Sequence, residues 1–145
     1  MFIDTITYKK ELAYLKKLAN SHEKQDINSR MEISNQLLTI LNLVKPTRTL
    51  KNIQEVAVLN LVQNIEVHDD KRYIEKENLS KNIVIIVLES KCDRKYHDSP
   101  NYNSLYTNGK FINLVSNCIY TLDVSTDHAV MVDKKLLAIT VWFSK

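Results

Sequence analysis

The chain has 145 residues, which is long enough for one folded domain with its own core. Hydrophobic residues make up 44% and charged residues 26%, and this composition excludes a disordered tail or a low-complexity linker. The formal net charge of +3 is small for a dedicated nucleic-acid-binding protein. No apolar run approaches the roughly twenty residues of a membrane-spanning helix, and the single glycine excludes glycine-rich phosphate-binding loops.

Apolar residues recur at helical spacing through the first half of the chain. A helix is predicted over residues 5–23, and a second one follows Ser29–Glu32, whose Ser-x-x-Glu order is that of a capping box. Pro46 ends this second helix, because proline disfavours a helical residue before it. A third helix is predicted over residues 50–65, and the polar segment His68–Leu79 fits either a short fourth helix or an edge strand.

The second half of the chain changes to the two-residue period and the β-branched residues of strands. Asn82–Ser90 is apolar on both faces and is predicted to be a central strand. Asn108-Gly109 lies between two alternating segments and predicts a type I′ hairpin, in which both residues have positive φ. The segment 110–123 is predicted to be a long strand split near Ser116-Asn117, and Asp133–Lys135 is predicted to turn a second hairpin.

These elements predict an α+β fold in a single domain, residues 1–145. Three or four N-terminal helices, in a helical half of residues 1–80, are expected to pack on a C-terminal antiparallel sheet of four or five strands, residues 81–145. The last strand is apolar on both sides, so either helices cover both faces of the sheet or one face is an interface. The second alternative predicts a homodimer formed through the sheet face.

Charged residues near the end of the predicted central strand could carry metal-dependent chemistry. Glu89 and Lys91 are two residues apart and therefore share a face of a strand, and Asp69 or Asp70 could join them. Two carboxylates and a lysine can hold Mg²⁺ and orient a water molecule for phosphodiester cleavage. In these residues alone the chain resembles the Asp…Glu-x-Lys pattern of PD-(D/E)xK nucleases. The resemblance implies Asp70, Glu89 and Lys91 as the catalytic residues of an alternative function, a metal-dependent nuclease.

Two cysteines and two histidines make up an alternative zinc set, namely Cys92, His97, Cys118 and His128. Thiolate and imidazole are the ligands that zinc prefers, although the spacing matches no compact zinc finger. Two cysteines cannot build a disulfide framework, which favours a reducing cytoplasm. The other two histidines, His22 and His68, are interpreted as solvent-exposed.

The loop after the predicted central strand mixes cations with aromatic rings. The residues predicted to bind a partner there are Arg94, Lys95, Tyr96, His97, Tyr102 and Tyr106. Arginine and tyrosine are enriched where proteins contact each other, and the same combination suits base stacking and phosphate contact on single-stranded nucleic acid. The low net charge favours a protein partner over nucleic acid.

No catalytic or cofactor motif stands out, so the sequence predicts a small, non-enzymatic, cytoplasmic protein-binding protein with no cofactor and no membrane partner. The chain is rich in Lys, Asn and Ile and poor in glycine, a composition associated with AT-rich genomes. This association suggests an inhibitor or regulator, encoded by a phage or mobile element, that acts on a host protein in the host cytoplasm. The metal-dependent nuclease and a nucleic-acid-binding module are the alternatives.

Overall fold

The computed structural model describes residues 3–5, 8–22, 28–44, 52–92 and 103–145. Its helices are α1 (Lys9–Ser21), α2 (Asn35–Val44) and α3 (Lys71–Lys76). Its strands are β1 (Ile3–Thr5), β2 (Asn28–Met31), β3 (Ile53–Leu61), β4 (Ile65–His68), β5 (Asn82–Lys91), β6 (Asn103–Thr107), β7 (Lys110–Leu114), β8 (Cys118–Asp123), β9 (His128–Met131) and β10 (Lys135–Phe143). None of the helices within these ranges is both long enough and apolar enough to cross a membrane.

The strands form two antiparallel sheets. In the order in which the strands pair, the six-stranded sheet contains β1, β8, β5, β10, β3 and β2, and the four-stranded sheet contains β4, β9, β6 and β7. The predicted α+β fold, with helices packed on a C-terminal sheet of four or five strands, is wrong. Four of the strands, β1, β2, β3 and β4, come from residues 1–80, which the sequence predicts to be helical. The protein is mostly β-structure, with helices inserted between its early strands.

Helices α1 and α2 cover one face of the six-stranded sheet. Leu12, Leu15 and Ala19 recur at helical spacing and are buried, which confirms the first predicted helix. They belong to one apolar cluster with Ile139 and Phe143 of β10. Full burial of a large aliphatic or aromatic side chain contributes about 1.5–3 kcal/mol to stability, so apolar contact is sufficient to hold these helices on the sheet.

The opposite face of β10 packs against the four-stranded sheet. Leu136, Ala138 and Trp142 lie in a second apolar cluster with Leu105 of β6 and Val130 of β9. Because side chains alternate along a strand, β10 contributes to both clusters. Both faces of the last strand are thus covered within one chain, one by helices and the other by the second sheet. A protein partner or a second copy of the chain stays a prediction.

Residues 53–61 form β3, where the sequence predicts a third helix. Their apolar residues fit a helical spacing, but Val56, Ala57, Val58 and Leu59 are buried one after another. Consecutive burial requires an element that is covered on both faces. Strand β3 meets this requirement because Val58 packs with the helices on one face of the sheet and Leu59 packs with the four-stranded sheet on the other. The helical spacing of the segment is therefore coincidental.

The starts of two helices show how local hydrogen bonds override a sequence pattern. No helix begins at residues 29–32, where the sequence predicts a capping box, because that segment belongs largely to β2. Instead, the Ser34 hydroxyl accepts a hydrogen bond from the Leu37 N–H at 3.1 Å, and α2 begins there. In the ambiguous segment after β4, an Asp69 carboxylate oxygen accepts a hydrogen bond from the Lys71 N–H at 3.1 Å, and the short helix α3 follows.

The single glycine occupies the hairpin turn that the sequence predicts. Thr107 pairs with Lys110 across β6 and β7, and the two residues between them, Asn108 and Gly109, have φ angles of 51° and 76°. Positive φ at both central positions is the mark of a type I′ turn, so this prediction is confirmed.

The chain repeatedly passes from one sheet to the other. The segment 110–123 is split at Asn117, where φ is 69°, as predicted, but β7 and β8 belong to different sheets. Strands β9 and β10 also belong to different sheets, so the second hairpin predicted at Asp133–Lys135 is wrong. In the four-stranded sheet, β4 pairs with β9, so the end of β4 lies beside the start of β9.

Candidate metal centre

Two histidines face each other in the four-stranded sheet. His68 is the last residue of β4, His128 is the first residue of β9, and the two are direct partners in the antiparallel pairing. The register shifts between Ile65 and His68, and such irregularities re-aim side chains beside functional sites. The centroids of the two imidazole rings are 4.3 Å apart.

Asp70 completes the cluster from the loop that leads into α3. Its N–H donates to the Val124 carbonyl at 2.8 Å and its carbonyl accepts from the Ile74 N–H at 3.0 Å, so its backbone is held on both sides. The carboxylate reaches both imidazoles. Oδ1 lies 3.7 Å from His68 Nε2, and Oδ2 lies 3.2 Å from His128 Nε2.

Backbone hydrogen bonds fix which nitrogen of each imidazole faces the carboxylate. His68 Nδ1 lies 2.8 Å from the Glu66 carbonyl oxygen, and His128 Nδ1 lies 2.8 Å from the Thr126 carbonyl oxygen. A carbonyl can only accept, so each Nδ1 carries the hydrogen and donates it. In the neutral imidazole each Nε2 then presents a lone pair towards Asp70, which is the arrangement typical of metal-ligating histidines.

The three side chains together fit a divalent cation. One donor atom from each of His68, Asp70 and His128 lies within 4.8 Å of the others. Their side chains are 40%, 25% and 6% exposed, respectively, so the cluster is closed on the His128 side and open on the His68 side. Two imidazoles and one carboxylate are the donor set of non-haem Fe(II) sites that keep further positions open.

The acid–base state of His128 agrees with a site built to hold a cation. Burial alone lowers the pKa of His128, but hydrogen bonds with Asp70 and with the Thr126 carbonyl outweigh burial, so the pKa lies above its ordinary value. The second imidazole nitrogen therefore attracts either a proton or another positive charge beside Asp70. Protons and metal ions compete for the same nitrogen in such sites.

A cavity of about 360 Å³ opens beside Asp70. The residues that line it are Arg30, Glu55, Ala57, Asp70, Tyr73 and Trp142. The rings of Tyr73 and Trp142 meet edge to face, with centroids 5.2 Å apart and planes at 78°. The cavity therefore combines two aromatic walls with charged groups of both signs.

Three polar side chains of the cavity are bonded to one another. Arg30 Nε lies 2.5 Å from Glu55 Oε1, and a terminal Arg30 nitrogen donates to the Tyr73 hydroxyl at 2.6 Å. The Tyr73 hydroxyl in turn donates to the same Glu55 oxygen. Burial raises the pKa of Tyr73, and its hydrogen bond to Glu55 adds to the rise, so the phenol stays protonated and remains a donor.

The residues predicted for a nuclease do not form one group. Asp70 faces the two histidines, whereas Glu89 lies between Lys91 Nζ at 2.9 Å and Lys135 Nζ at 3.5 Å. The hydrogen bond from Lys91 is the main reason why the pKa of Glu89 is lowered. The Asp69 carboxylate accepts from the backbone of α3. Only one member of the predicted catalytic set therefore belongs to the candidate site.

The predicted zinc set is divided in a similar way. His128 belongs to the cluster, but its neighbours there are His68 and Asp70. Within the described ranges, the group of convergent ligand atoms contains neither cysteine: Cys92 follows β5, and Cys118 pairs with Val87 in the six-stranded sheet.

The predicted partner-binding residues are for the most part outside the described residues. These are Arg94, Lys95, Tyr96, His97 and Tyr102. Tyr106 lies in β6, where its half-buried ring packs against that of Phe111 at a centroid distance of 5.2 Å. The binding role of this set stays a prediction.

The interpretation of His68 as a solvated histidine leaves out its contacts, because its side chain is 40% exposed and also lies beside Asp70 and His128. The sequence does contain a signal for this site, namely the order His68-Asp69-Asp70, which puts an imidazole and a carboxylate two residues apart. That signal becomes specific only when β4 is paired with β9, because the pairing brings His128 opposite His68.

No protein-family model matches the chain, and no curated protein matches it. Solved structures do resemble it. A 2OG-Fe(II) oxygenase family oxidoreductase from Burkholderia pseudomallei has a TM-score of 0.61 at 15% identity, covering 93% of this chain and 78% of that chain. A viral collagen prolyl hydroxylase from Paramecium bursaria Chlorella virus-1, solved as a 2OG complex, has a TM-score of 0.59 at 10% identity, covering 100% and 97%. A cupin-2 domain containing protein from Shewanella frigidimarina has a TM-score of 0.50 at 9% identity, covering 88% and 89%.

At these identities the likeness is one of fold. Cupin-type proteins and 2OG-Fe(II) oxygenases share this arrangement of two antiparallel sheets with the chain. The prediction of a non-enzymatic inhibitor or regulator of viral type is not supported, because the neighbours with this fold include an oxidoreductase and a hydroxylase.

Proposed function

We propose that the protein is a metal-dependent oxygenase that binds Fe(II) through His68, Asp70 and His128. The observation that carries this proposal is the convergence of two Nε2 atoms and one carboxylate, with both Nδ1 atoms tied to backbone carbonyls. Three donors on one side of an ion leave positions open for other ligands, which distinguishes such a site from a closed structural zinc site.

The cavity beside Asp70 suits an acidic co-substrate. A divalent ion exceeds the charge of Asp70, and Arg30 and Glu55 balance each other, so the loaded cavity has a net positive charge. We take 2-oxoglutarate as the co-substrate, since two proteins with this fold are a 2OG-Fe(II) oxygenase family oxidoreductase and a prolyl hydroxylase solved as a 2OG complex. Arg30 is the basic residue that lines the cavity, and it would bind the carboxylate of this acid that lies farther from the metal.

The residues of the site would have three roles: binding the metal, orienting the acid and excluding water. Fe(II), when bound, supplies the site at which dioxygen is reduced. His68, Asp70 and His128 hold it, while Arg30 and Tyr73 orient the acid. Ala57 and Trp142 form apolar walls that exclude water from the acid. The overall reaction would be R–H + O₂ + 2-oxoglutarate → R–OH + succinate + CO₂, with the main substrate reaching the site from the open His68 side.

Metal binding tests the first part of this proposal. The metal-free protein would be titrated anaerobically with Fe(II) in a calorimeter, alongside the variants H68A, D70A and H128A. We expect one Fe(II) per chain for the wild type and at least about a hundredfold weaker binding for each variant, more than is usual for residues that only support ligands. D69N and H22A are matched controls, because they change the same residue types outside the cluster. Equal losses in D69N and D70A would contradict the assignment.

Turnover tests the second part. Purified protein loaded with Fe(II) would be incubated with 2-oxoglutarate, oxygen and ascorbate, which supplies the two electrons that the absent substrate would provide, and succinate would be measured. Slow formation of succinate without an added substrate, abolished in H128A, is the expected result. A wild-type protein that binds Fe(II) but neither binds nor consumes 2-oxoglutarate would refute the choice of co-substrate.

A further inference from the structure

We infer that Glu55 is a positioning residue that makes the cavity selective for 2-oxo acids with two carboxylates. The inference rests on the proposed function and goes beyond it, because that function assigns metal binding to His68, Asp70 and His128 and gives Glu55 no role of its own. It acts through Arg30 and Tyr73, which are bonded to it and line the same cavity.

The contacts of Arg30 show why it needs to be held. Its side chain is 63% exposed, whereas that of Glu55 is only 12% exposed. An exposed arginine samples many conformations, so an unanchored Arg30 would spend much of its time in solvent. Its ion pair with Glu55 engages Nε, which lies on the side of the guanidinium nearest the backbone.

The geometry leaves donors of Arg30 for a ligand. A guanidinium has five N–H donors in a fixed fork. Glu55 engages Nε, and the Tyr73 hydroxyl takes one hydrogen bond from a terminal nitrogen. The remaining terminal N–H groups can pair with both oxygens of a carboxylate, which is the strongest way in which arginine binds one.

Tyr73 links Arg30 to Glu55. Its hydroxyl accepts from Arg30 and donates to Glu55, and its ring packs on Trp142. The ring is therefore fixed by the six-stranded sheet, and the hydroxyl limits rotation of the guanidinium. Glu55 lies on β3 opposite Trp142 of β10, so the anchor itself belongs to the six-stranded sheet.

Two opposite effects of Glu55 can be separated by experiment. As a mere negative charge, Glu55 would repel any acid, and E55Q would then bind all acids more tightly. As a positioning residue, Glu55 would strengthen only the contact between Arg30 and the second carboxylate. Binding of 2-oxoglutarate would then weaken in E55Q, while binding of 2-oxobutyrate, which lacks that carboxylate, would not change.

Calorimetric titration of the Fe(II)-loaded protein under anaerobic conditions tests this difference. We expect E55Q to bind 2-oxoglutarate at least about tenfold more weakly than the wild type does, which is the fold-change typical of losing one charge-assisted hydrogen bond. The affinities for Fe(II) and for 2-oxobutyrate should not change. In R30A, adding E55Q should cause no further loss, because the two residues act as one unit. E75Q, an exposed carboxylate of α3 outside the cavity, is the matched control.

The outcomes separate the two proposals. Weaker binding of both acids by E55Q, or tighter binding of both, would refute the positioning role of Glu55. A wild type that prefers 2-oxoglutarate, together with an E55Q variant that keeps the preference, would refute it as well and leave the proposed function intact. A wild type that binds Fe(II) but neither acid would overturn both.

Discussion

His68 and His128 occupy directly opposite positions on adjacent antiparallel strands, with ring centroids 4.3 Å apart. The pairing places two nitrogen donors side by side before any ligand is present. Asp70 adds the third donor from a loop whose backbone is bonded to Val124. The cluster is therefore organised by the fold, and a metal ion should stabilise the native state more than the unfolded chain.

Stability should depend on divalent metal. With free metal at about 100 times its Kd, a single site stabilises the folded state by about 2.7 kcal/mol, which corresponds to several degrees in Tm. Addition of Mn(II) as a redox-stable probe should raise the Tm of the wild type, and a chelator should reverse the rise. In D70A the same metal addition should leave the Tm unchanged, whereas D69N should respond as the wild type does. Thermal unfolding followed by circular dichroism measures these shifts.

Replacement of Asn103 by alanine should destabilise the fold strongly. The side-chain amide donates to the Lys135 carbonyl at 2.8 Å and to the Ser90 hydroxyl at 2.9 Å, and its oxygen accepts from the Asp133 N–H at 2.8 Å. Asn103 is 1% exposed, so its partners would lose buried hydrogen bonds. We expect a loss of about 2–3 kcal/mol in the free energy of unfolding, measured with urea. The exposed Asn113, changed to alanine, should cost less than about 0.5 kcal/mol. Equal effects would contradict this role.

A side chain at position 109 should meet no steric clash, but it should strain the backbone. A Cβ atom at this position would meet nothing within 4 Å, but φ is +76°, where residues other than glycine are strained. G109A should therefore lower the free energy of unfolding by about 1 kcal/mol. Lys110 is next to it with ordinary strand geometry, and K110A is the control. A neutral G109A variant would show that the turn relaxes to another type.

Glu89 should contribute to stability at neutral pH but not at acid pH. Lys91 lowers the pKa of Glu89 below its ordinary value of 4.5, so the folded state favours the charged carboxylate. The contribution is present above the unfolded pKa and is lost as pH falls through the lower folded pKa. E89Q should cost up to about 1 kcal/mol at neutral pH, because the pair is partly exposed. The difference between wild type and variant should vanish in urea unfolding at acid pH; a difference that persists there would contradict an electrostatic cause.

The sequence predicted those elements whose signals are local. The turn at Asn108 and Gly109 depends on two adjacent backbone conformations, and β5 is marked by an uninterrupted β-branched run. Helix α1 has a clear apolar face. In each case the deciding interactions lie within a few residues of one another, so pattern alone was sufficient.

The fold class and the candidate site depended on pairing between distant segments. Strand β3 looked helical because its consecutive buried residues result from cover on both faces, by the helices on one side and by the four-stranded sheet on the other, and its own pattern does not reveal that cover. His68 looked like an ordinary surface residue because its partner His128 is brought opposite only by the pairing of β4 with β9. Asp70 was singled out for its charge, but with the wrong partners, since Glu89 is held by lysines.

Strand β10 follows every other strand in the chain and yet lies at the centre of the six-stranded sheet, between β5 and β3. Without it, the sheet consists of two separate fragments, β1–β8–β5 and β3–β2. The ordering entropy of long intervening loops must be overcome before these fragments join, which is typical of domains that fold in milliseconds to seconds. A nascent chain in which β10 has not yet been synthesised would present the open edges of β5 and β3, which are prone to aggregation until β10 pairs with both.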